Sequence, residues 1–163
     1  MVVGILRRLL RPRRRFQVSD PGSQERWSIA NGEYDGKPLI TRFNLALTSL
    51  VGDPAYPHQL GIATPFISPT SNGLPTSDEA AELSNLEDNL AAALTAEGES
   101  LFAGVITTNN MREYVFYSRD PLTARARFEE VRSSFPSREI QFAVHDDPAW
   151  QNFRNFSGSH DAA

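Results

Sequence analysis

The chain has 163 residues, 40% of them hydrophobic, with 16 Lys or Arg against 20 Asp or Glu, so its formal net charge is −4. Leu, Val, Ile and Phe make up about a quarter of the residues, which is enough for a hydrophobic core. The absence of Cys excludes disulfides and thiol chemistry, and no apolar run reaches the roughly 18 to 20 residues of a membrane span. We therefore expect a globular domain that is not an integral membrane protein.

Positive charge is concentrated at the N-terminus. Residues 1–15 contain six Arg and no acid, whereas the remainder has ten basic and twenty acidic side chains, a net charge of −10. On a helical wheel of about 100° per residue, the apolar residues of 1–10 lie opposite the Arg, and Pro12 ends this basic amphipathic arm. The acidic remainder repels phosphate backbones, so we assign any anion contact to the arm. Its six basic residues are Arg7, Arg8, Arg11, Arg13, Arg14 and Arg15.

Two interpretations of the arm stay open. A disordered, solvated tail is favoured, because a chain need not order its ends. The alternative is weak contact with an anionic membrane or with nucleic acid, in which the short helix forms only on binding. A secretory signal carries its positive residues before the apolar stretch, and the order is reversed here. We therefore expect a cytoplasmic protein, peripheral at the membrane surface if the arm binds lipid.

Composition divides the chain into four parts. The basic arm of residues 1–15 is followed by a polar linker, residues 16–25, which contains a Pro-Gly pair. Residues 26–156 carry the periodic patterns of a single α+β domain, and residues 157–163 form a polar, disordered tail. The domain therefore holds every predicted strand and helix.

The domain begins with a predicted β-hairpin. Two β-rich runs cover residues 26–34 and 37–47, and Asp35-Gly36 separates them. This pair is typical of a type I′ turn, because both of its central positions need positive φ. The sequence therefore predicts two antiparallel strands joined by a tight turn.

The turn also predicts a register. Trp27 opposes Asn44 and Ile29 opposes Arg42, so that these four side chains share one face of the hairpin. A competing turn at Asn31-Gly32 would shift the register and separate them. The shared face therefore depends on which turn forms.

The next elements are a strand and a helix. A strand is predicted from His58 to Ile67, and Pro65 makes it an edge or bulged strand or ends it. A helix begins at Thr76, where a capping box pairs the Thr76 hydroxyl with the amide of Glu79 and the Glu79 carboxylate with the amide of Thr76. Leu residues recur three and four positions apart along this helix, which indicates one buried stripe.

A second hairpin and a second helix follow. Residues 101–118 form two β-rich runs that turn at Asn109-Asn110, because Asn tolerates positive φ. Asp120-Pro121 supplies an N-cap and a first helical residue. Residues 140–145 alternate like a half-buried strand, and Asp147-Pro148 opens a final turn.

Without the first hairpin, the order is strand, helix, strand, strand, helix, strand. This order predicts a ferredoxin-like, or split β-α-β, two-layer sandwich in which two helices cover one face of an antiparallel sheet. The predicted fold class is therefore α+β, with an additional N-terminal β-hairpin and with the second sheet face open to partners.

Four segments have distinctive combinations of residues. They are NGEYDGKPLITRFN (31–44), NGLPTSDEAAELSNLEDNLAAAL (72–94), FAGVITTNNMREYVFYSRD (102–120) and DDPAW (146–150). Together with Trp27, they resemble domain-of-unknown-function family 695 over residues 26–156. The family has no agreed activity, so the resemblance implies no reaction or cofactor. A similarity of layout to ferredoxin-like protein regulators of ribonuclease E implies, by analogy of fold, a role in binding an enzyme.

The sequence lacks the common motifs for phosphate binding and nucleophilic catalysis. It contains no GxGxxG, GxxxxGK[ST] or GxSxG pattern. His145-Asp146-Asp147 is the most metal-like group, but a helix cap by Asp147 is the favoured explanation of these residues. We therefore predict no catalytic residue, no metal and no cofactor.

A binding patch is predicted on the shared face of the first hairpin. Trp27, Arg42 and Asn44 combine aromatic area with a planar cation, which is the composition of binding hot spots. The plain alternative, a sheet face with one cation stacked on an indole and no binding role, is the favoured interpretation of these residues. We expect Tyr56 or Trp150 to lie nearby if the loops fold over the patch.

Glu87, on the first long helix, is a further candidate binding residue. Because it lies next to the Leu stripe, partial burial against Arg112 or another base is one interpretation. A solvated helix flank is the favoured interpretation, because charged side chains on helices are usually exposed.

These observations favour a noncatalytic binding or regulatory module that recognises a protein partner through a sheet face or a hairpin edge. One alternative is an enzyme or small-ligand binder that uses a cleft near Arg42, with Glu87 or Glu113 as its acid. Another is a membrane-surface adaptor anchored by residues 1–15. The partner and the oligomeric state do not follow from the sequence.

Overall fold

The computed structural model describes residues 17–18 and 26–157. The predicted arm, residues 1–15, and the predicted tail, residues 157–163, lie outside this part of the chain, except for Ser157, which is the last residue of a helix. The strands are β1 Gln17–Val18, β2 Trp27–Tyr34, β3 Lys37–Asn44, β4 His58–Pro65, β5 Ser100–Thr108, β6 Met111–Ser118 and β7 Gln141–Asp146. The α-helices are α1 Ser77–Thr95, α2 Pro121–Ser133 and α3 Gln151–Ser157, and 3₁₀ helices cover Leu45–Leu50 and Ala96–Gly98.

The strands form one antiparallel sheet in the order β1-β2-β3-β5-β6-β4-β7. The predicted α+β class is confirmed. Gln17 and Val18, which the sequence places in the linker, pair with β2 as a short strand. β4 lies between β6 and β7, and Pro65 is its last residue because proline has no N–H for the ladder.

The first hairpin forms in the predicted register. Trp27 pairs with Asn44 and Ile29 pairs with Arg42. The two residues of the Asp35-Gly36 turn have φ values of 50° and 73°, as a type I′ turn requires. The competing turn within β2 does not form, so Trp27 and Arg42 share one face of the hairpin.

The first helix begins at the predicted cap, and a glycine with positive φ follows its end. The Thr76 hydroxyl accepts a hydrogen bond from the Glu79 amide at 3.3 Å, and Gly98 follows the helix with a φ of 67°. The Leu stripe lies fully in the core, which accounts for its spacing. Its members are Leu83, Leu86, Leu90 and Leu94.

The second hairpin and the second helix also form as predicted. The residues of Asn109-Asn110 have φ values of 48° and 65°. Asp120 accepts a hydrogen bond from the Leu122 amide at 3.0 Å, and Pro121 is the first residue of α2. Local chemistry therefore accounts for both chain reversals and both helix starts.

A hydrophobic cluster lies on each face of the sheet. On the face covered by α1 and α2, the cluster includes Leu90, Phe116 and Phe128. On the other face, the 3₁₀ helix Leu45–Leu50 and α3 contribute Leu47 and Phe153 to a second cluster. The prediction of an open second face is therefore wrong, because the segment after β7 folds back and packs α3 on it.

Candidate functional site

Three of the predicted site residues meet beside α1. Arg42 on β3 forms an ion pair with Glu87 on α1 through Nη2 and Oε1. The Arg42 guanidinium also lies 5.5 Å from the centroid of the Trp27 ring. The side chains of Arg42 and Glu87 are 31% and 17% exposed, so both reach the surface from a largely buried position. We call Trp27, Arg42 and Glu87 the Arg42 cluster.

Strand register and helix spacing together place the Arg42 cluster. Trp27 on β2 and Arg42 on β3 lie on the face of the sheet that the helices cover. Their two strands lie beside β5, outside the group of strands that is directly beneath the helices. Glu87 directly follows the buried Leu86, so it lies about 100° further round α1, at the margin of the Leu stripe. Trp27 packs edge-on against Phe102 at 5.1 Å between ring centroids. The cluster is thereby fixed to the core and carries no net charge.

The base that pairs with Glu87 is Arg42, not Arg112. Arg112 donates from Nε to the Thr107 hydroxyl at 3.0 Å, across the β5–β6 ladder. The favoured solvated flank is therefore wrong: Glu87 is partly buried against a base, and that base comes from the first hairpin.

Asn44 has a structural role close to the Arg42 cluster. Its side-chain amide donates to the Phe102 carbonyl at 3.3 Å, and its Oδ1 accepts from the Ala46 amide at 3.1 Å. It is buried and caps the 3₁₀ helix that follows β3. Its polar atoms are therefore used within the fold.

Tyr56 and Trp150 do not join the Arg42 cluster. Both belong to the hydrophobic cluster on the opposite face of the sheet. The Trp150 indole N–H donates to the Tyr56 carbonyl at 2.9 Å, and its ring stacks on Tyr117 with centroids 4.0 Å apart. The loops fold over the second face, so the prediction that they bring these two aromatic side chains to the patch is wrong.

Glu113 is also separated from Arg42 by the sheet. It pairs with Ala63 on β4 and Ile106 on β5, and it is only 3% exposed. Within the described structure its Oε2 has no hydrogen-bond partner. Burial raises the pKa of this carboxyl group from an ordinary value of 4.5 to about 7. The predicted cleft that would unite Glu113 with Arg42 does not form.

The sequence did not reveal a buried ionic network at the start of α1. Glu79 accepts hydrogen bonds from the amides of Ile67 and Ser68, at 2.7 and 2.8 Å, and pairs with Arg138 at 3.0 Å. Arg138 also reaches Glu82 at 3.0 Å. Both side chains of the Glu79–Arg138 pair are 4% exposed. The second half of the predicted capping box is therefore wrong, because the Glu79 carboxylate turns to the loop and not to Thr76.

The network shifts the titration of Glu79. Burial disfavours its charged form, but the hydrogen bonds from Ile67 and Ser68 and the charge of Arg138 outweigh burial and lower the pKa of Glu79 below its ordinary value. No local sequence pattern predicts the pairing of Glu79 with Arg138, because Arg138 lies 59 residues further along the chain. Only the folded position of the loop before β7 reveals it.

The residues after β7 act as a helix cap. The Asp147 carboxylate accepts from the Gln151 amide at 2.8 Å and from the Tyr117 hydroxyl at 2.8 Å. Asp146 instead pairs with His58 at 2.8 Å. Over the described residues, no group of three or more His, Asp or Glu side chains is arranged to hold a metal ion.

The described residues form an α+β domain whose sheet has a hydrophobic cluster on each face. A family model described as a family of unknown function, DUF695, matches residues 25–157. The chain therefore belongs to this family, and the resemblance inferred from its sequence is confirmed. No curated protein and no solved structure matches it. Within the described part of the chain, no helix has the length and hydropathy of a membrane span.

Proposed function

We propose that this domain is a noncatalytic binding module that recognises a protein partner through the Arg42 cluster. The observation that carries the proposal is an Arg held between an indole ring and a carboxylate at the surface. Trp and Arg are the residues most enriched at the energetic centres of protein interfaces. Arg42 is already oriented by Trp27 and Glu87, so a partner loses little side-chain entropy in binding it.

The charge of the cluster favours a protein surface over an anion. Glu87 neutralises Arg42, and the chain beyond the arm carries a net charge of −10. A phosphate or a nucleic acid would have to displace Glu87 and overcome the field of an acidic body. A protein partner can instead pack on Trp27 and bond to the exposed edge of the ion pair.

The other two functions have less support. An enzyme using a cleft near Arg42 needs a second functional group that faces it, and Glu113 lies on the opposite face of the sheet. A membrane-surface adaptor depends on residues 1–15, outside the described residues. Cytoplasmic location stays a prediction from the order of charges in that arm.

We infer that the strands and helices from β4 to β7 form a ferredoxin-like unit. The support is the strand order β5-β6-β4-β7, antiparallel throughout, with α1 and α2 on one face. In this interpretation β1, β2 and β3 extend the sheet beside β5. The Arg42 cluster lies where this extension meets α1, which is why it is half-buried.

The experiment that tests the function is affinity purification of the tagged full chain from lysate of its own source, with nuclease treatment and mass spectrometry. We expect a stoichiometric partner that survives nuclease and deletion of residues 1–15. Trp27→Ala and Arg42→Ala should each reduce its recovery about tenfold or more, since each removes part of the binding surface. Circular dichroism verifies that both variants are folded.

Arg119→Ala is the matched control, because Arg119 also lies over an aromatic ring, 4.9 Å from the Tyr56 centroid. It should leave recovery of the partner unchanged. A partner that binds both cluster variants as well as the parent chain contradicts the proposal. A partner lost with residues 1–15 assigns binding to the arm instead.

A further inference from the structure

Among the described strands, β7 is at an edge of the sheet, and main-chain groups on its outer side pair with no other strand. It is the last strand of the sheet, and in the described part of the chain no strand pairs with its outer side. Asp147 donates its amide to the Pro57 carbonyl at 3.0 Å, toward β4. Main-chain groups alternate in direction along an antiparallel strand. The N–H and C=O groups of Phe142, Val144 and Asp146 therefore point outward.

The surface at this edge is apolar at its centre. Val144 is 39% exposed, and Leu122 at the start of α2 is 81% exposed. Phe142 packs against Phe128 with ring centroids 5.0 Å apart, so α2 runs alongside the strand. Proteins usually protect a free edge with Lys, Pro or a bulge, and β7 has the sequence QFAVHD. This edge is therefore a surface on which another strand can add.

Charges of opposite sign flank Val144. The Arg125 guanidinium lies 5.5 Å from the centroid of the Phe142 ring, and its side chain is 57% exposed. The Asp146 side chain is 83% exposed at the other end of the strand. A two-fold axis through Val144 places Phe142 of one copy opposite Asp146 of the other. Each Arg125 then lies beside the carboxylate of the second copy's Asp146.

We propose that β7 pairs antiparallel with β7 of a second copy of this chain, around a two-fold axis through Val144. The outward groups of the two strands match in this register and form about six main-chain hydrogen bonds. Val144 meets its own copy at the axis, and two Arg125–Asp146 pairs flank it. The sheet then continues across the dimer. This surface is separate from the Arg42 cluster, so the tests of dimerisation and of partner binding are independent of each other.

The expected dimer is weak. A single pair of short edge strands buries less surface than the roughly 1,200 Å² of a small stable interface. We therefore expect a monomer–dimer equilibrium with a dissociation constant on the order of micromolar or weaker. Sedimentation velocity of the full chain from about 1 µM to about 1 mM measures it directly.

Charge reversal tests the register. Arg125→Asp and Asp146→Arg should each raise the dissociation constant about tenfold or more, because each places like charges together. The double variant restores opposite charges and should recover most of the parent affinity. Lys37→Asp, in the hairpin of β2 and β3, reverses the charge of a residue far from β7 and should leave the dimer unchanged.

A variant that changes the main chain provides an independent test of the dimer. Val144→Pro removes an outward N–H that the ladder to β4 does not use, so it should abolish the dimer in a chain that remains folded by circular dichroism. A monomer throughout the concentration range overturns the proposal. So does a dimer that neither charge reversal nor Val144→Pro weakens, since it must use another surface. Failure of the double variant to restore dimerisation excludes the two-fold register.

Discussion

Glu113 and Gly61 show how one residue makes room for another inside the sheet. A Cβ atom at position 61 would lie 2.5 Å from Glu113 Oε1, closer than packed atoms approach. Glycine in the middle of a strand weakens it, so its presence in β4 marks the space that the carboxyl group occupies. The acid is held without a charged partner among the described residues, and burial raises its pKa to about 7.

Glu113 should make stability fall as the pH rises. Its pKa is about 7 in the folded chain against an ordinary value of 4.5, so the folded state binds more protons between these values. The contribution of Glu113 to the unfolding free energy is therefore fully present below about pH 4.5. It decreases by on the order of 3 kcal/mol as the pH rises to about 7. Urea denaturation of Glu113→Gln should lack this decrease. A parent-like pH dependence in that variant would contradict the assignment.

Gly61→Ala should destabilise the fold through the same contact. The added methyl group collides with the Glu113 carboxyl group, at a cost of about 1 to 3 kcal/mol. In a Glu113→Ala background the obstacle is gone, so the same change should cost at least about 1 kcal/mol less. Denaturant midpoints of the parent chain, the two single variants and the double variant measure the coupling between positions 61 and 113. Equal costs in both backgrounds would exclude the steric explanation.

At the scale of the element, the start of α1 depends on a loop distant in sequence. The cap by Thr76 is local, but the Glu79 carboxylate binds the loop after β4 and the Arg138 guanidinium. An Arg buried with its acid cannot lose one partner without leaving an uncompensated charge. The network therefore ties α1 to the strand before it and to the segment that leads into β7.

Arg138→Met should lower the unfolding free energy by about 3 to 5 kcal/mol, because it leaves the carboxylate of Glu79 buried without its cation. Arg132→Met is the matched control, since Arg132 is 50% exposed and pairs with Glu129 on the surface. It should cost less than about 1 kcal/mol. Thermal or urea unfolding compares the two, and equal losses would show that the buried pair is not a stabilising link.

At the scale of the whole molecule, one sheet carries two hydrophobic clusters. Trp27 packs against the cluster beneath α1 and α2, and Trp150 is fully buried in the cluster beneath α3. Both clusters are built from alternate residues of the same strands, as at Phe116 and Tyr117. Neither cluster can lose its strands while the other stays intact.

The two faces should therefore unfold together. Trp27→Phe leaves Trp150 as the fluorescent reporter of one face, and Trp150→Phe leaves Trp27 as the reporter of the other. Within each variant, the fluorescence and far-ultraviolet dichroism transitions in urea should coincide. Transitions that separate within either variant would show that one face melts independently.

The fold could be predicted further than the site. The turn at Asp35-Gly36 determined the register of the first hairpin, and that register placed Trp27 and Arg42 on one face. The spacing of the Leu stripe determined which side of α1 is buried, and so which side carries Glu87. The composition of the Arg42 cluster was thus accessible from the sequence, although the Arg42–Glu87 contact was not.

Sequence by itself determined what acts within a few residues, namely turns, caps, strand alternation and helix stripes. The tertiary structure alone decided the pairs that join distant segments, such as Arg42 with Glu87 across 45 residues and Glu79 with Arg138 across 59. It also decided that Trp150 packs on the second face of the sheet. The physical reason is that local conformation limits the directions of a side chain, whereas its partner is selected by the packing of whole faces that minimises exposed apolar area and unpaired charge.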